Sequence, residues 1–464
     1  MLIESVNQLV EGTMEHDVKQ GLEKASEGVK HTLSGWVAAV GLAERWVARS
    51  ERVDALLEGL ATGLTGQERA RAQHLFYGVV RWSSRLEAAL DGLMMHPPRT
   101  KVRAVLLVAG FELLESAAET QAAGEGGVAK IIHHAVEQAK SVASPKEAKL
   151  VNAVMRKMAA RLAVKPTDLA IEFAHPEWLV TRWLRQFGPE ITRQLLTWNQ
   201  QPAPVYARWR PAFAGAAQSE RAVPEFLAPT AWAGFYEVKA GKWAEVRQLA
   251  NEGVIYLQDP STRLCIDLLA PQPGEVILDA CAAPGGKSLF IADVMKAGKI
   301  VALDQPAEPG KIDLRLLRLK ENLARSPQGV EVAMIEADLT KVGSVFYKNL
   351  NLPESYDAVL LDAPCSNTGV MRHRIDVKWR LQDGDFARHA EQQVELLHAA
   401  ARLVKAGGRS VYSTCSVDAT ENEQVIKTFF DSRAGGPFKL ARSMQAYPWV
   451  DGHDGAGAFL LIKG

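Results

Sequence analysis

From about Gly241 to the end of the chain, apolar runs of strand character alternate with runs of helical periodicity. The strand-like runs are EVILDA, KIVALD, VEVAMIEAD, YDAVLLDAP, RSVYSTC and GAFLLIK. A strand that reads as a continuous apolar run must be covered on both faces, and helices placed between successive strands supply that cover. The alternation therefore predicts an α/β core: a parallel sheet wrapped by helices, the doubly wound class. Sheets of this class bind ligands beyond the carboxyl ends of their strands, so candidate chemistry is sought there.

The rest of the 464 residues leaves room for about two more units at roughly 150 residues each. Residues 36–165 are helical in period almost throughout, with breaks at Gly63–Gly66, His96–Pro98 and Gly124–Gly127, and predict an all-α domain. Its last helix is announced by Ser144 as N-cap, Pro145 at the first helical position and Glu147 three residues after the cap. Leu150, Val151, Val154, Met155, Met158 and Leu162 then form one apolar stripe. The segment 141–165 also carries Lys146, Lys149, Arg156, Lys157, Arg161 and Lys165 against Glu147 alone, a solvated helix face or a phosphate contact. Residues 1–35 read as an acidic helical extension, with Val10, Met14, Val18 and Leu22 at four-residue steps. Residues 166–240 are mixed and rich in Trp, opening with HPEWLVTRWLRQFG, and form a small subdomain ahead of the core at 241–464.

Lys plus Arg and Asp plus Glu each total 54, so no long-range field draws the whole molecule to a polyanion, and any such partner must meet a local basic patch. Cys265, Cys281, Cys365 and Cys415 show neither CxxC spacing nor a nearby His cluster; no metal and no disulfide framework is expected, and a reducing cytoplasm fits. The MLIESVNQLVEG terminus lacks a basic region followed by an apolar one, and no apolar run reaches 18 residues. Neither export nor membrane spanning is expected, and the chain is expected to be a monomer.

The first core strand ends in Asp279, Ala280, Cys281, Ala282, Ala283, Pro284, Gly285, Gly286, Lys287 and Ser288, followed by LFIADVM. Small residues at a strand-to-helix turn admit a ligand close to the backbone, and the helix start offers free N–H groups. The spacing is neither GxGxxG nor the Walker pattern, which favours a nucleotide-like ligand without a polyphosphate. The second strand ends at Asp304, where an acid can accept both ribose hydroxyls. Asp338 closes the third strand in a place suited to an adenine amino group.

The fourth strand runs into Asp362-Ala363-Pro364-Cys365-Ser366-Asn367-Thr368-Gly369, and the fifth into Thr414-Cys415-Ser416. Each thiol alone reads as a small buried residue, as does Cys265. Together, at the ends of neighbouring strands, they read as reagents. Methylation of an amine or hydroxyl needs no thiol, whereas carbon 5 of a pyrimidine is a poor nucleophile until a group adds to carbon 6.

DACAAPGGKS, LDAPCSNTG followed by VKW, and YSTCSVDATENE resemble, in order, the signature motifs of the Nop/Sun RNA cytosine-5 methyltransferases. The N-terminal half, with FYGVVRW, LLVAGFELL and KLVNAVMRKM, is similar to the NusB-like domain of the bacterial RsmB/Sun branch. The resemblance covers about residues 40–464. It implies a NusB-like RNA-binding domain, a small α+β RNA-binding subdomain and a Rossmann-like methyltransferase core. S-adenosylmethionine is the implied donor and a ribosomal or transfer RNA cytosine the implied acceptor, small-subunit ribosomal RNA foremost. It also implies Cys415 as nucleophile, Cys365 as the thiol for product release and Asp362 as an acid contacting base and donor. Cys281, Ala282, Ala283, Pro284, Gly285, Gly286, Lys287, Asp304 and Asp338 are the implied remainder of the donor site. The alternatives are an RNA-binding assembly factor of the same fold without turnover, a transfer RNA enzyme, or a protein methylase.

The sequence departs from the family pattern at Asn367, usually Gly or Ala, at an insertion (QPAEPGKIDL) between Asp304 and Arg315, and at the terminal DGAGAFLLIKG. In ARWRP, Arg208 matches the pattern and Arg210 does not. Arg208 joins Arg372, Arg374, Lys378 and Arg380 of RHRIDVKWR as candidate RNA contacts; the last four directly follow the fourth-strand motif. Trp379 is placed either to stack on a base or to pack.

Overall fold

The computed structural model describes residues 34–49, 51–119, 126–210, 222–343, 349–350 and 352–464. The acidic extension, up to Leu33, lies outside them. The chain forms two compact units, Met1–Thr167 and Asp168–Gly464.

The first unit is all helical: α1 (Gly35–Arg49), α2 (Val53–Glu58), α3 (Gly66–Arg81), α4 (Ser83–Leu90), α5 (Thr100–Glu119), α6 (Gly126–Val142) and α7 (Pro145–Leu162). Helix α5 is apolar nearly all round, with Val102, Ala104 to Ala109, Phe111 and Leu113 buried, so it is the central rod on which α1, α3, α6 and α7 pack. Two glycines set how closely they approach. A Cβ on Gly78 of α3 would sit 2.1 Å from the Phe111 ring, and one on Gly110 would sit 2.3 Å from Cε of Met158. The start of α7 is as expected: Ser144 Oγ accepts from Glu147 N at 3.3 Å, with Pro145 in the first turn. Leu150 departs from the expected stripe. It is exposed, because the buried face runs through Val151, Val154, Met155, Met158 and Leu162, and position 150 lies about 100° round the helix from 151.

The second unit begins with α8 (Leu169–Glu172) and α9 (Glu177–Gln200), the latter kinked at Gly188, whose φ is 77°. A small antiparallel sheet follows: β1 (Tyr206–Trp209), β2 (Leu227–Pro229), β3 (Phe235–Val238) and β4 (Ile255–Leu257), in the order β2-β3-β1-β4. Helix α10 (Trp243–Asn251) packs Val246 and Leu249 against Ala207, Leu227 and Ile255. The subdomain boundary expected at 240 is therefore wrong: α10 and β4 belong to the small sheet, because β4 pairs with β1 through Ala207 and Leu257. The change of sequence character at Gly241 marks a turn inside the subdomain.

The core comprises α11 (Arg263–Leu269), β5 (Val276–Ala280), α12 (Gly286–Met295), β6 (Gly298–Asp304), α13 (Leu314–Leu323), β7 (Val330–Glu336), β8 (Tyr356–Asp362), α14 (Val377–Arg380), α15 (Asp385–Arg402), β9 (Val404–Thr414), α16 (Glu423–Phe430), β10 (Phe438–Ala446), α17 (Pro448–Asp451) and β11 (Ala456–Lys463). The sheet order is β10-β11-β9-β8-β5-β6-β7. On one face Leu278, Val301, Val359 and Tyr412 pack against Leu396, Leu397, Val425 and Phe429. On the other, Ile277, Ile300, Leu360 and Val411 pack against Leu268, Leu269, Ile291 and Met295. Strands β5 to β9 are parallel, as expected of the doubly wound class. GAFLLIK, expected as one more parallel strand, is instead antiparallel to both β9 and β10. The link 447–455 is too short for the crossover that a parallel neighbour of β10 would need. Strand β10 has an exposed middle in which Lys439, Arg442 and Ser443 interrupt the apolar residues, so its sequence carries no continuous apolar run; it is an edge strand whose Lys439 and Arg442 discourage pairing with another chain.

Candidate active site

The chain builds β5, β6 and β7 outward in one direction, then returns to lay β8 on the other side of β5. At this reversal the loops leaving β5 and β8 diverge and open a crevice at the strands' carboxyl ends. Asp279, Asp304 and Asp362 stand at or next to the ends of β5, β6 and β8, and Cys415 directly follows β9.

Two cavities occupy the crevice. The first, about 210 Å³, is lined by the turn after β5 (Cys281, Ala282, Ala283, Pro284, Gly286 and Lys287) together with Asp279, Asp362 and Tyr256. The turn needs its glycines. Gly285 has φ of 99°, and a Cβ on Gly286 would sit 2.9 Å from the Tyr256 ring. Asn322 fixes the turn from α13 by donating to Pro284 O at 2.7 Å and to Tyr256 Oη at 3.1 Å. Asp304 accepts Ala283 N at 2.8 Å through Oδ2 and Gln305 N at 2.8 Å through Oδ1, and burial raises its pKa. Asp338 lies two residues beyond β7 and accepts from Thr340 and, at 2.8 Å, from Lys341. The Lys341 contact, with Thr340, holds its carboxyl below the usual range.

Residues the sequence reading left without a role complete this wall. Asp279 is fully buried, bonded to Ser288 Oγ, and pushed up to about 7, chiefly by burial. It was visible only as the first letter of DACAAPGGKS.

The second cavity, about 120 Å³, shares Thr262, Lys287 and Asp362 with the first and adds Cys415, Asp259, Asp454 and Gly457. Lys287 Nζ lies 2.5 Å from Asp362 Oδ2, and Ser413 donates to Asp362 Oδ1 at 3.0 Å. Burial opposes the Lys287 charge, but the Asp362 carboxylate outweighs it and the ammonium is held protonated. The two expected thiols meet: Cys365 Sγ and Cys415 Sγ are 3.2 Å apart. The hydrogen bond to the Cys415 sulfur, then burial, push the Cys365 thiol well up, so it keeps its proton at neutral pH. Asn367, the departure from the family pattern, has φ of 61°, a conformation that glycine or asparagine adopts most readily. It donates to Cys365 O at 2.8 Å and places Oδ1 3.3 Å from Cys415 Sγ.

Behind the thiols, buried Glu421 accepts from Ser366 N at 2.8 Å and from Ser366 Oγ, and Thr414 donates to Asn422 at 2.7 Å. The ENE of YSTCSVDATENE thus ties the two cysteine loops together. Arg182 of α9 clamps Asp418 in the same loop, Nε to Oδ2 at 2.6 Å and Nη2 to Oδ1 at 2.9 Å.

The candidate RNA contacts divide. Arg208 is 3% exposed and is corrected to a structural role: it lies 2.6 Å from Asp293, donates to Gln258 and packs over Phe290. Arg210, the mismatch to the family pattern, shares the same carboxylate from the other side. Lys378 is 2% exposed and lies over Trp379, so it too is withdrawn from a phosphate-binding surface. Arg372 donates to Pro202 O and stacks on Trp198, and Arg380 pairs with Asp376 at 2.9 Å. Arg374 is exposed. The side chains of Asp259, His373 and Asp454 also converge closely enough to hold a metal ion. However, His373 directs both ring nitrogens at acceptors, Asp454 at 3.0 Å and Pro204 O at 3.1 Å. A ring donating on both sides is an imidazolium with no lone pair for a metal. No described helix is long and apolar enough to cross a membrane.

The comparisons accord with this arrangement. Residues 266–443 match the family model of the 16S rRNA methyltransferase RsmB/F, and residues 42–160 match the NusB family. A ribosomal RNA small subunit methyltransferase B of Klebsiella pneumoniae is 31% identical over 443 residues, which span 90% of this chain and 96% of the relative. That of Salmonella paratyphi B is 32% identical, over 83% of this chain and 87% of its own length. Among solved structures, that of PH0851 shares the fold with a TM-score of 0.70 at 22% identity, covering 92% of this chain and 98% of the other. The chain belongs to the ribosomal RNA small subunit methyltransferase B family.

Proposed function

We propose that the protein transfers a methyl group from S-adenosylmethionine to carbon 5 of a cytosine in small-subunit ribosomal RNA, through a covalent bond between Cys415 and carbon 6. The observation that carries this reading is the pair of cavities meeting at Lys287 and Asp362, with the glycine turn lining one and the Cys415 thiol the other. The first fits the donor: small residues allow close approach, the start of α12 offers N–H groups, and Asp304 stands one strand over. When bound, S-adenosylmethionine supplies an electrophilic methyl group on a positively charged sulfur.

The chain's own residues do the rest. Cys415 adds to carbon 6 and makes carbon 5 electron-rich. The Lys287–Asp362 pair fixes the boundary across which the two reacting carbons face each other. Release removes the carbon 5 proton to water as the carbon 5–carbon 6 double bond re-forms and the Cys415 sulfur leaves as its thiolate, and Cys365, 3.2 Å from that sulfur, is assigned to support its departure. A base can enter so small a cavity only after leaving its stack, which favours an unpaired cytosine.

The test is to incubate the purified protein with unmodified small-subunit ribosomal RNA and methyl-labelled donor, then identify the labelled nucleoside by mass spectrometry. The expected product is 5-methylcytidine at a single site. Label in an N- or O-methylated nucleoside, or none in RNA, would overturn the reading.

A further inference from the structure

The second half of α9 and the short helix α17 leave an open groove between them, about 380 Å³, lined by Gln194, Thr197, Trp198, Gln201 and Trp449, a size within the range of ligand clefts. Its two indoles are held in place. The Arg372 guanidinium lies over the Trp198 ring at 4.2 Å, and Trp449 packs against Phe187 at 5.4 Å and Tyr447 at 5.0 Å. Neither indole is fully buried, and Val450, next to Trp449, is 73% exposed. Apolar surface gathered in this way within a polar rim marks an interaction site.

The groove adjoins the cysteine cavity along two stretches of chain. Val370 lines that cavity, and Arg372, two residues on, covers Trp198. Asp454 also lines the cavity and follows Trp449 by five residues. The Arg372 charge is within electrostatic reach of both Asp454 and Asp259, so it stands between the two openings.

Resting on the reading above that the target cytosine enters the cavity of Cys415, we infer that this groove is a binding subsite for an unpaired nucleotide beside the target, its base stacked on the indoles of Trp198 and Trp449. Drawing the target out of its stack leaves the neighbouring base with one face bare, and an aromatic ring waiting beside the cavity offsets part of that loss. Gln194, Thr197 and Gln201 contribute groups that both donate and accept hydrogen bonds, as base edges do. The lining is not that of a phosphate track. It holds one cation, Arg193, and one acid, Glu190, and Arg193 already pairs with buried Glu172 at 2.9 Å. A duplex keeps its bases stacked inside and turns phosphates outward, which gives these rings nothing to hold.

The experiment measures equilibrium binding of the full chain to unmodified small-subunit ribosomal RNA by filter retention at several salt concentrations, with donor affinity by calorimetry. Trp198→Ala should weaken RNA binding by about 5- to 150-fold, the worth of one base stacked on an aromatic ring. The salt slope should stay as in wild type, because stacking releases no counterions, and donor affinity should stay within about twofold. Trp198→Phe retains a ring and should recover most of the loss. Ultraviolet irradiation of the wild-type complex should attach a nucleotide to the tryptic peptide 194–208 or to the peptide containing Trp449, a readout that depends on no variant's folding. Affinity of Trp198→Ala within about twofold of wild type, a lowered salt slope that marks a phosphate contact, or cross-links confined to other peptides would each overturn the inference. A labelled product other than 5-methylcytidine would overturn the cytosine-5 reading alone, since binding and cross-linking decide the groove whichever atom receives the methyl group.

Discussion

Single side chains in this site do work that their neighbours cannot take over. Asp304 is the plainest case. It closes β6 nearly buried, with both oxygens already steadying the glycine turn and the next peptide. Its carboxylate is therefore both a candidate ribose acceptor and a brace for the donor cavity. Asp304→Ala should weaken S-adenosylmethionine binding by about 1.5–3 kcal/mol, the worth of charge-assisted hydrogen bonds, read by calorimetry. Unchanged affinity would show that the carboxylate serves only the turn. Asn367 illustrates a different point: a residue that differs from the family pattern meets the same backbone demand, φ of 61°, and adds an acceptor 3.3 Å from the Cys415 sulfur.

At the scale of elements, α9 bears on the site although it precedes the core in sequence. Its Arg182 makes a two-pronged contact with Asp418, which is fully buried, and Gln186 donates to Val417 O at 2.9 Å. Together they hold the loop that carries Cys415. Arg182→Ala strands a buried carboxylate and should cost about 3–5 kcal/mol of stability, seen as a lower denaturation midpoint with donor affinity retained. A cost under about 1 kcal/mol would show that water takes over the contact. Nothing in HPEWLVTRWLRQFG showed this link, because ion pairs between residues more than 200 positions apart leave no local periodicity. What the sequence did disclose was local. Strands β5 to β9, the capping box at Ser144, the glycine turn and both cysteine loops each carry a pattern within a few residues. Strand β10 and the true extent of the small sheet stayed hidden because an exposed edge strand has no continuous apolar run and β4 is only three residues long. The burial of Arg208 and Lys378 was equally illegible, since a basic residue reads the same whether it faces phosphate or Asp293.

Taken whole, the molecule carries as many basic as acidic residues, so its affinity for RNA must come from local patches and fall steeply with salt. With Arg208 and Lys378 buried, Arg374 is the surface cation best placed beside the cysteine loops. Arg374→Glu should weaken RNA binding and lower the slope of log affinity against log salt by about 1, leaving donor affinity alone; an unchanged slope would place the RNA elsewhere. The most direct test of the central claim uses the two thiols, since addition and release are different steps and should fail differently. RNA mixed with donor and each variant is run on a denaturing gel. Cys365→Ala should form an RNA–protein adduct that survives denaturation, because addition proceeds and release is slowed, while Cys415→Ala should form none and transfer no methyl group. An adduct with Cys415→Ala but not with Cys365→Ala would reverse the two roles, and methylation by both variants without any adduct would contradict the covalent account altogether.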